Sequence, residues 1–347
     1  MHDIARVAGC SQTTVSLVLN NNDSVKISDA TKERVFDAAK GLGYSVPVRS
    51  VADPTQERKQ KPLDAPIAFV VDYLATSPEM VNAFNGVKQA VSETGSLVLL
   101  AETQNDPEME PKTIQFFLDQ GVAGVIYASV FTRQLEIPEI LRQTDTPVLL
   151  LNCFSDDLSF PSVIPGEIAA GHTATNALIR AGHNRIATIT GEPFMTCAAG
   201  RTTGYRNALA SADIPFDQDL VVEGDWLPSS GYAATQQLMA LPKPPTAIFV
   251  QNDRMAIGSY EALKEMGLAI PEDVSVIGFD DDETARHLSP PLTSMILPTR
   301  AMGRWVIEQL FHGPSGDQRH PLVKLECELV ERESITAPKT GGHPSTP

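Results

Sequence analysis

Seven side chains with hydrogen-bonding or aromatic chemistry follow predicted strands, at the positions where a parallel sheet would end. Together they supply one guanidinium group, carboxylates, amides, a phenol and an indole. Arginine and aspartate give paired donors and acceptors to vicinal hydroxyls, and a flat aromatic ring covers the apolar face of a sugar. This mixture favours a binding site for a small polyol, formed by Asp72, Tyr73, Asn152, Arg201, Trp226, Asn252 and Asp280.

The elements that must position these side chains alternate between strands and helices from Pro66 onward. Strands are predicted at 67–71, 148–151, 247–250 and 274–279, with helices between them. Repeated βα units give a parallel sheet with helices on both faces. The pattern is too long for one sheet, so we expect two similar lobes. Ligands of such folds lie beyond the carboxyl ends of the strands, in a crevice.

Other interpretations of the same residues stay open. Asn252-Asp253 and the aspartates at 280–281 could simply begin the next helix, and only the convergence of the set favours a site. The aspartate run 280–282 with His287 could bind Mg²⁺, but no set of nucleophile, base and orienting residue indicates an enzyme. No GxGxxG follows a strand and no P-loop is present, so we expect no nucleotide cofactor.

The N-terminal residues predict three short helices. Residues 4–20 read as two helices joined by a turn at Gly9, with Ser11 capping the second one. Such a pair is either an ordinary helical hairpin or a helix-turn-helix, which presents an uncharged, hydrogen-bonding surface to base edges in the major groove. A third helix follows Ser28 and ends near Gly43. The second helix buries Val15, Val18 and Leu19 and turns Gln12, Thr13, Ser16 and Leu17 outward.

The net charge of −16 is distributed unevenly. Residues 1–61 contain nine basic and seven acidic side chains, whereas the remainder contains eighteen and thirty-six. An acidic body would be repelled by a DNA duplex, so contact would be limited to the N-terminal part and strongly salt-dependent. Acidity that serves only solubility is equally consistent with these numbers.

Several segments and residues limit the class of protein. The four cysteines are far apart and form no CxxC, which fits free thiols in a reducing cytoplasm. No apolar run is long enough for a membrane span, and no secretory signal precedes the first helix. The expected organisation is a headpiece at 1–47, a linker at 48–65, a two-lobed core at 66–330 and a C-terminal tail at 331–347, whose end is disordered.

Two groups of motifs resemble the LacI/GalR family of bacterial transcription factors. The first is D-I-A-x-x-A-G-x-S-x-x-T-V-S-x-x-L-N at 3–20, which is highly specific for the family's headpiece. The second group resembles the family's effector-binding core, which is similar to periplasmic sugar-binding proteins. It comprises G-H-x-R-I-A at 182–187, P-T-A-I-F-V-x-N-D at 245–253, I-P-E-D-V-S-V-I-G-F-D at 270–280 and P-P-L-T at 290–293.

The resemblance implies a homodimeric transcriptional regulator, usually a repressor, that binds pseudo-palindromic operator DNA. A small-molecule effector, expected to be a sugar or sugar derivative, would bind between the lobes and change how the headpieces are presented. The implied effector site contains Arg201, Asn252 and Asp280, with Trp226 stacking on the ligand and Asn152 and Asp72 lining the first lobe. The implied DNA-binding residues are Ser11, Gln12, Thr13, Thr14, Ser16, Leu17 and Asn20.

The sequence departs from the family pattern in four places. Leu17 stands where an arginine often reads a guanine, and leucine can only pack against a thymine methyl or exclude other bases. In the family, the hinge forms a short helix that places an apolar side chain in the central minor groove of the operator. Pro54 blocks an interior position of this expected helix, and Val51 would take the place of the apolar side chain. The first helix lacks an upstream cap, so the true start is expected before Met1. Leu297 stands where a glutamine commonly faces the effector.

Overall fold

The computed structural model describes residues 7–10, 14–15, 28, 31–32, 34–35, 38, 65–74, 78–92, 94–312, 320 and 322–339. The chain forms two compact units, Met1–Gln60 and Lys61–Pro347. Among the described residues no helix is long and apolar enough to cross a bilayer.

The described positions of the first unit agree with a bundle of short helices. Ala8, Val15, Val35 and Ala38 are helical and buried. Gly9 has a φ of 63°, a left-handed conformation that suits glycine at the predicted turn between two helices. The Ser28 carbonyl accepts the N–H of residue 32 at 3.1 Å, as expected where a helix begins.

The second unit alternates strands and helices along most of its length. In chain order it contains β1 (Ile67–Val71), α1 (Pro78–Ser92), β2 (Val98–Glu102), α2 (Met109–Asp119), β3 (Gly124–Gln134), α3 (Glu139–Gln143), β4 (Val148–Phe154), β5 (Ser162–Pro165), α4 (Glu167–Arg180), β6 (Ile186–Thr190), α5 (Thr196–Ser211), β7 (Val221–Glu223), α6 (Pro228–Met239), β8 (Ala247–Val250), α7 (Asp253–Glu265), β9 (Ser275–Asp280), β10 (Thr293–Ile296), α8 (Thr299–His312), β11 (Leu322–Leu325) and β12 (Leu329–Val330).

These strands form two six-stranded sheets, which confirms the predicted two-lobed α/β core. The first sheet has the order β11-β5-β4-β3-β1-β2 and the second β12-β10-β9-β8-β6-β7. The described pairings are parallel except for β12 against β10. Central strands such as β1 and β8 are apolar and fully buried, because helices cover both faces.

The chain passes between the lobes three times. It leaves the first sheet after β5, returns to the first lobe after β10, and crosses again between β11 and β12. α8 therefore belongs to the first lobe, where it packs against α1. Because β11 and β12 close opposite sheets, the last described residues contribute to both lobes.

The C-terminal boundary of the core lies later than predicted. Residues 331–339, assigned to the tail from the sequence, continue along the second lobe. The backbone of Ser334 pairs with Val276 at 2.9 Å, and the Thr336 carbonyl lies 2.8 Å from Nε2 of the buried His183. These contacts are polar, so hydrophobic periodicity gives no sign of them. The predicted disordered end at 340–347 lies outside the described residues.

Three helix pairs approach closely because glycines face the partner backbone. A Cβ on Gly86 of α1 would lie 2.1 Å from the carbonyl oxygen of Arg300 in α8. A Cβ on Gly171 of α4 would lie 2.3 Å from the carbonyl oxygen of Arg201 in α5. A Cβ on Gly231 of α6 would lie 2.0 Å from the carbonyl oxygen of Met255 in α7. The second pair brings the start of α4 against the turn of α5 that carries Arg201.

Candidate functional site

A cavity of about 310 Å³ lies between the two sheets, where the carboxyl ends of their strands face each other. This volume is at the lower end of the range for small-molecule sites. Residues from both lobes line it, as the strand-end positions predict. Of the seven residues predicted from the sequence, six line the cavity: Tyr73, Asn152, Arg201, Trp226, Asn252 and Asp280.

Asp72 does not line the cavity, so its predicted role in direct binding is corrected. Its carboxylate is buried and turned toward the neighbouring strand β3. It accepts hydrogen bonds from the Val130 N–H, the Ser129 hydroxyl and Nη2 of Arg133, each at 2.8 Å. Asp72 therefore supports the segment of β3 that reaches the cavity.

Arg201 is buried and held by groups from three elements. Its Nε donates to Oε2 of Glu167 at 2.7 Å, and Nη2 lies 3.3 Å from Oε1 of the same carboxylate. Its Nη1 donates to the Gln251 carbonyl at 2.5 Å. The guanidinium stacks on Phe279, 3.5 Å from the ring centroid. Burial alone would lower the pKa of Arg201, but the carboxylates of Glu167 and Asp280 outweigh it and raise the pKa.

Asp280 presents a carboxylate that has no hydrogen-bond donor among the described residues. Its nearest charged neighbour is Nη1 of Arg201, 4.0 Å from Oδ1, beyond hydrogen-bond distance. Burial raises the pKa of Asp280 well above its ordinary value, although Arg201 acts in the opposite direction. A buried carboxylate of this kind is satisfied when a ligand donates to it.

Three of the lining residues have left-handed backbone conformations, which are uncommon for residues other than glycine. The φ angles are 59° at Asn152, 68° at Trp226 and 112° at Asp280. Strain of this kind persists where surrounding contacts impose it, and it concentrates at ligand sites. Arg332 supplies part of that support, since its Nη2 donates to Oδ1 of the adjacent Asp281 at 2.5 Å.

The two asparagines also hold the backbone around the cavity. Asn252 accepts the Met255 N–H at 2.9 Å and donates to the Trp226 carbonyl at 3.1 Å, so it caps α7. Asn152 donates to the carbonyls of Ser129 and Val130 at 3.0 and 3.1 Å. The capping interpretation considered from the sequence thus holds for Asn252, which lines the cavity as well.

The structure adds residues that sequence reasoning missed. Phe131 and Thr132 line the cavity because β3 continues as far as Gln134. Arg254 also lines the cavity. In the sequence, the apolar pair Val130-Phe131 could have indicated that β3 is long enough to reach the cavity. Glu167, the partner of Arg201, follows a strand that the sequence analysis did not detect.

Two further lining residues bear on the chemistry of the cavity. Leu297 lines it, so the glutamine-to-leucine departure noted in the sequence falls at the site. Burial raises the pKa of the Cys197 thiol to about 12. This thiol is protonated at neutral pH and acts as a small apolar wall. Among the described residues no cluster of three His, Cys, Asp or Glu could hold a metal ion.

Most of the predicted DNA-binding residues lie outside the described part of the chain. Thr14 is described, in a helical, half-buried position. The other predicted contacts, Ser11, Gln12, Thr13, Ser16, Leu17 and Asn20, remain predictions, as do the linker at 48–65 and the effect of Pro54.

Comparison with known families gives two matches. Residues 1–46 match the family of bacterial regulatory proteins of the lacI type. Residues 175–335 match a periplasmic binding protein-like domain. The two matches correspond to the predicted headpiece and to the second lobe with the following C-terminal segment.

Individual relatives span nearly the whole chain. The HTH-type transcriptional regulator CelR of Thermobifida fusca is 34% identical over 340 residues, covering 95% of this chain and 96% of the relative. A CelR–cellobiose complex has a TM-score of 0.67 at 31% identity, covering 96% and 98% of the two chains. The lac repressor dimer bound to operator and the anti-inducer ONPF has a TM-score of 0.65 at 26% identity, with 96% and 98% covered.

The matches extend over both predicted functional parts. The relatives are transcriptional regulators and not enzymes, in agreement with the sequence analysis. The helix-turn-helix motif, the two-lobed fold and relatives of at least 30% identity over almost the full length lead to one conclusion. The chain belongs to the LacI family of bacterial regulatory proteins and is a DNA-binding transcriptional regulator.

Proposed function

We propose that this regulator binds a carbohydrate effector in the cavity between its lobes and that the effector controls operator binding by a cytoplasmic homodimer. The observation that carries the proposal is the pair of Arg201 and Asp280. The guanidinium and the carboxylate are 4.0 Å apart and not hydrogen-bonded to each other; the Arg201 side chain is buried and that of Asp280 retains 10% exposure. A vicinal diol can accept from the first group and donate to the second.

The surrounding contacts leave binding capacity on both groups. Glu167 and the Gln251 carbonyl use three of the five guanidinium N–H donors of Arg201. Two donors therefore remain for a ligand. The Trp226 ring, 5.8 Å from the guanidinium carbon, supplies an apolar surface for a sugar ring.

The relatives support the class of effector and the assembly. CelR is described in complex with cellobiose, and the lac repressor is described as a dimer on its operator. In the same way we propose two headpieces on a pseudo-palindromic site, with Ser11, Gln12, Thr13, Thr14, Ser16, Leu17 and Asn20 at the DNA.

Light scattering should give the mass of a dimer, and a clean tetramer would contradict this assembly.

The effector site is tested by a thermal-shift screen against sugars, polyols, sugar acids and purines. A sugar that stabilises the wild type should lose its effect in Arg201→Ala and in Asp280→Asn. Arg206→Ala is the matched control for the arginine, because it changes an exposed residue of the same helix. If a compound stabilises both site variants as much as the wild type, the assignment of the cavity as its binding site is wrong.

Control of DNA binding is tested separately by gel shift on the palindrome nearest the gene. Adding the sugar found in the screen should change the fraction of bound operator. The same sugar should have no effect on operator binding by Asp280→Asn. Equal responses of the wild type and the variant would contradict regulation through this site.

A further inference from the structure

A groove of about 700 Å³ adjoins the cavity between the lobes. Glu79, Arg254 and Asp280 line both spaces, so the groove continues directly from the cavity. Its walls are the first turn of α1 in the first lobe, the first turns of α6 and α7 in the second lobe, and residues 280–284 at the end of β9. A sugar ring held in the cavity would therefore leave the groove open for a further part of the same ligand.

The groove carries an excess of negative charge. Among the described residues that line it, five are acidic and one, Arg254, is basic; the acidic ones are Glu79, Asp280, Asp281, Asp282 and Glu283. Asp281 already has cationic partners, because Nη2 of Arg332 lies 2.5 Å from its Oδ1 and Nη2 of Arg286 lies 3.5 Å from its Oδ2. Without Asp281, four acidic groups still stand against one arginine, which favours a cation over an anion in this space.

Part of this acidity also suits the helices. Glu79 lies in the first turn of α1. Asp282 caps the short 3-10 helix Glu283–Arg286, where its Oδ1 accepts the Glu283 N–H at 2.6 Å. Acidic residues are favoured at such positions by the positive end of the helix. Asp280 has no role of this kind, because it is the last residue of a strand.

Asp280 is the group in the groove that calls for a ligand. Its side chain retains 10% exposure, and no described residue donates a hydrogen bond to its carboxylate. The charge of Glu79, from the opposite lobe, acts with burial to raise the pKa of Asp280. A carboxylate has about four acceptor sites, of which one sugar hydroxyl would use one. The remaining sites can accept from a second donor that enters from the groove, and a cationic donor would also stabilise the charged carboxylate.

We propose that the groove is a subsite for a protonated amino group and that the effector is a carbohydrate with a primary ammonium group beyond the ring in the cavity. The ammonium donates to Asp280 and lies between Glu79 of the first lobe and Asp282 of the second. A cation in this place offsets the repulsion between acidic groups of the two lobes, which a neutral sugar leaves unchanged. The inference rests on the proposed function, because it takes the effector to be a carbohydrate, and it adds the charge of that carbohydrate.

The test is calorimetric titration of the full-length protein with glycosides that differ only in a short side chain. The probes are the 2-aminoethyl, 2-hydroxyethyl and carboxymethyl β-glycosides of D-glucose and of D-galactose, which at neutral pH are cationic, neutral and anionic. For the sugar that binds, we expect the aminoethyl glycoside to bind about tenfold more tightly than the hydroxyethyl glycoside. The carboxymethyl glycoside should bind more weakly than both. The preference for the amine should shrink at high salt, because ions screen the charges of an open groove.

Variants assign the preference to the groove. Glu79→Gln and Asp282→Asn should each lower the ratio of aminoethyl to hydroxyethyl affinity about threefold, because each removes one negative charge at nearly constant shape. Asparagine at 282 keeps an oxygen that can accept the Glu283 N–H. Arg254→Gln should raise the ratio, because it removes a positive charge. Glu139→Gln is the matched control, since Glu139 is exposed in the first turn of α3 and lines neither space. It should leave the ratio at the wild-type value.

The outcomes distinguish this inference from the function on which it rests. Equal affinity for the aminoethyl and hydroxyethyl glycosides, or a ratio unchanged in both acidic variants, overturns the subsite. Tighter binding of the carboxymethyl glycoside that is lost in Arg254→Gln overturns it in favour of an anionic effector. In these cases, binding that still requires Arg201 and Asp280 leaves regulation by a carbohydrate in place. If none of the glycosides binds, the subsite is overturned and the wider screen alone decides the proposed function. Binding of purines but of no sugar overturns both proposals.

Discussion

Arg201 serves the fold and the site at the same time. Its guanidinium neutralises the buried Glu167 and has two N–H groups that no described hydrogen bond uses. Removing this side chain would leave a buried carboxylate without its counter-charge, which typically costs about 3–5 kcal/mol. Asp280 is the better residue for separating binding from stability, because no described donor depends on its carboxylate.

The residues that the sequence predicts to face outward on the second headpiece helix lead to a prediction at the residue scale. Leu17 cannot donate a hydrogen bond to a guanine, whereas an arginine at this position can do so twice. We predict that Leu17→Arg shifts the preferred base at one position of each half-site toward guanine. Selection from a randomised operator library with both proteins measures the shift, and identical preferred sites would contradict it.

Asp72 shows the limit of predicting site residues from their position in the sequence. Six of seven strand-end residues line the cavity, because the carboxyl edge of a parallel sheet is fixed by topology. The same argument fails for Asp72, whose carboxylate can turn toward either the cavity or the next strand. The choice depends on Ser129 and Arg133, which are distant in sequence and brought near by β3.

At the scale of elements, close helix pairs position the site. α4 and α5 meet where Gly171 and Gly204 face the partner backbone, and this contact places Glu167 beside Arg201. The alternation of strands and helices predicted helices in this part of the chain but gave no sign of which glycines lie between them. It also failed to indicate α6, whose Gly, Ala and Ser content gives weak periodicity.

We predict that Gly204→Ala destabilises the protein by about 1–3 kcal/mol through overpacking. The new Cβ would lie 2.2 Å from the Ile168 carbonyl oxygen and 2.5 Å from the His172 nitrogen, so the helices must separate. Urea unfolding measures the loss, and ligand affinity should fall with it because Arg201 moves away from Glu167. Thr203→Ala, an exposed neighbour on the same helix, is the control and should change stability little.

At the scale of the whole molecule, a buried carboxyl makes stability depend on pH. Asp253 accepts from the Ser294 hydroxyl at 2.7 Å and from the Asp282 N–H at 2.9 Å. Burial raises its pKa from 3.8 to about 7, and the nearby aspartates 281 and 282 act in the same direction. The folded state therefore binds a proton that the unfolded state releases over this range.

The sign of the effect follows from that difference. The stabilising contribution of protonated Asp253 is complete below pH 3.8, the pKa of the unfolded state. It is lost as the pH rises to about 7, the pKa of the folded state. Relative to Asp253→Asn, the wild type should lose up to about 4 kcal/mol of unfolding free energy across this window. Urea unfolding of both proteins at several pH values measures this difference in unfolding free energy. The exposed control Asp213→Asn should parallel the wild type, and a parallel curve for Asp253→Asn would contradict the assignment.

The crossings of the chain between the lobes have a consequence for its synthesis on the ribosome. Each sheet takes its final strand from residues 322–330, after most of the chain has been made. At about 5–20 residues per second, roughly 10–30 s separate the completion of β5 from the emergence of its partner β11. Neither sheet is complete until translation has passed residue 322, and a chain that ends before this point retains its predicted DNA-reading end without a complete regulatory core. Control by a ligand through the completed core therefore requires that translation has passed residue 330.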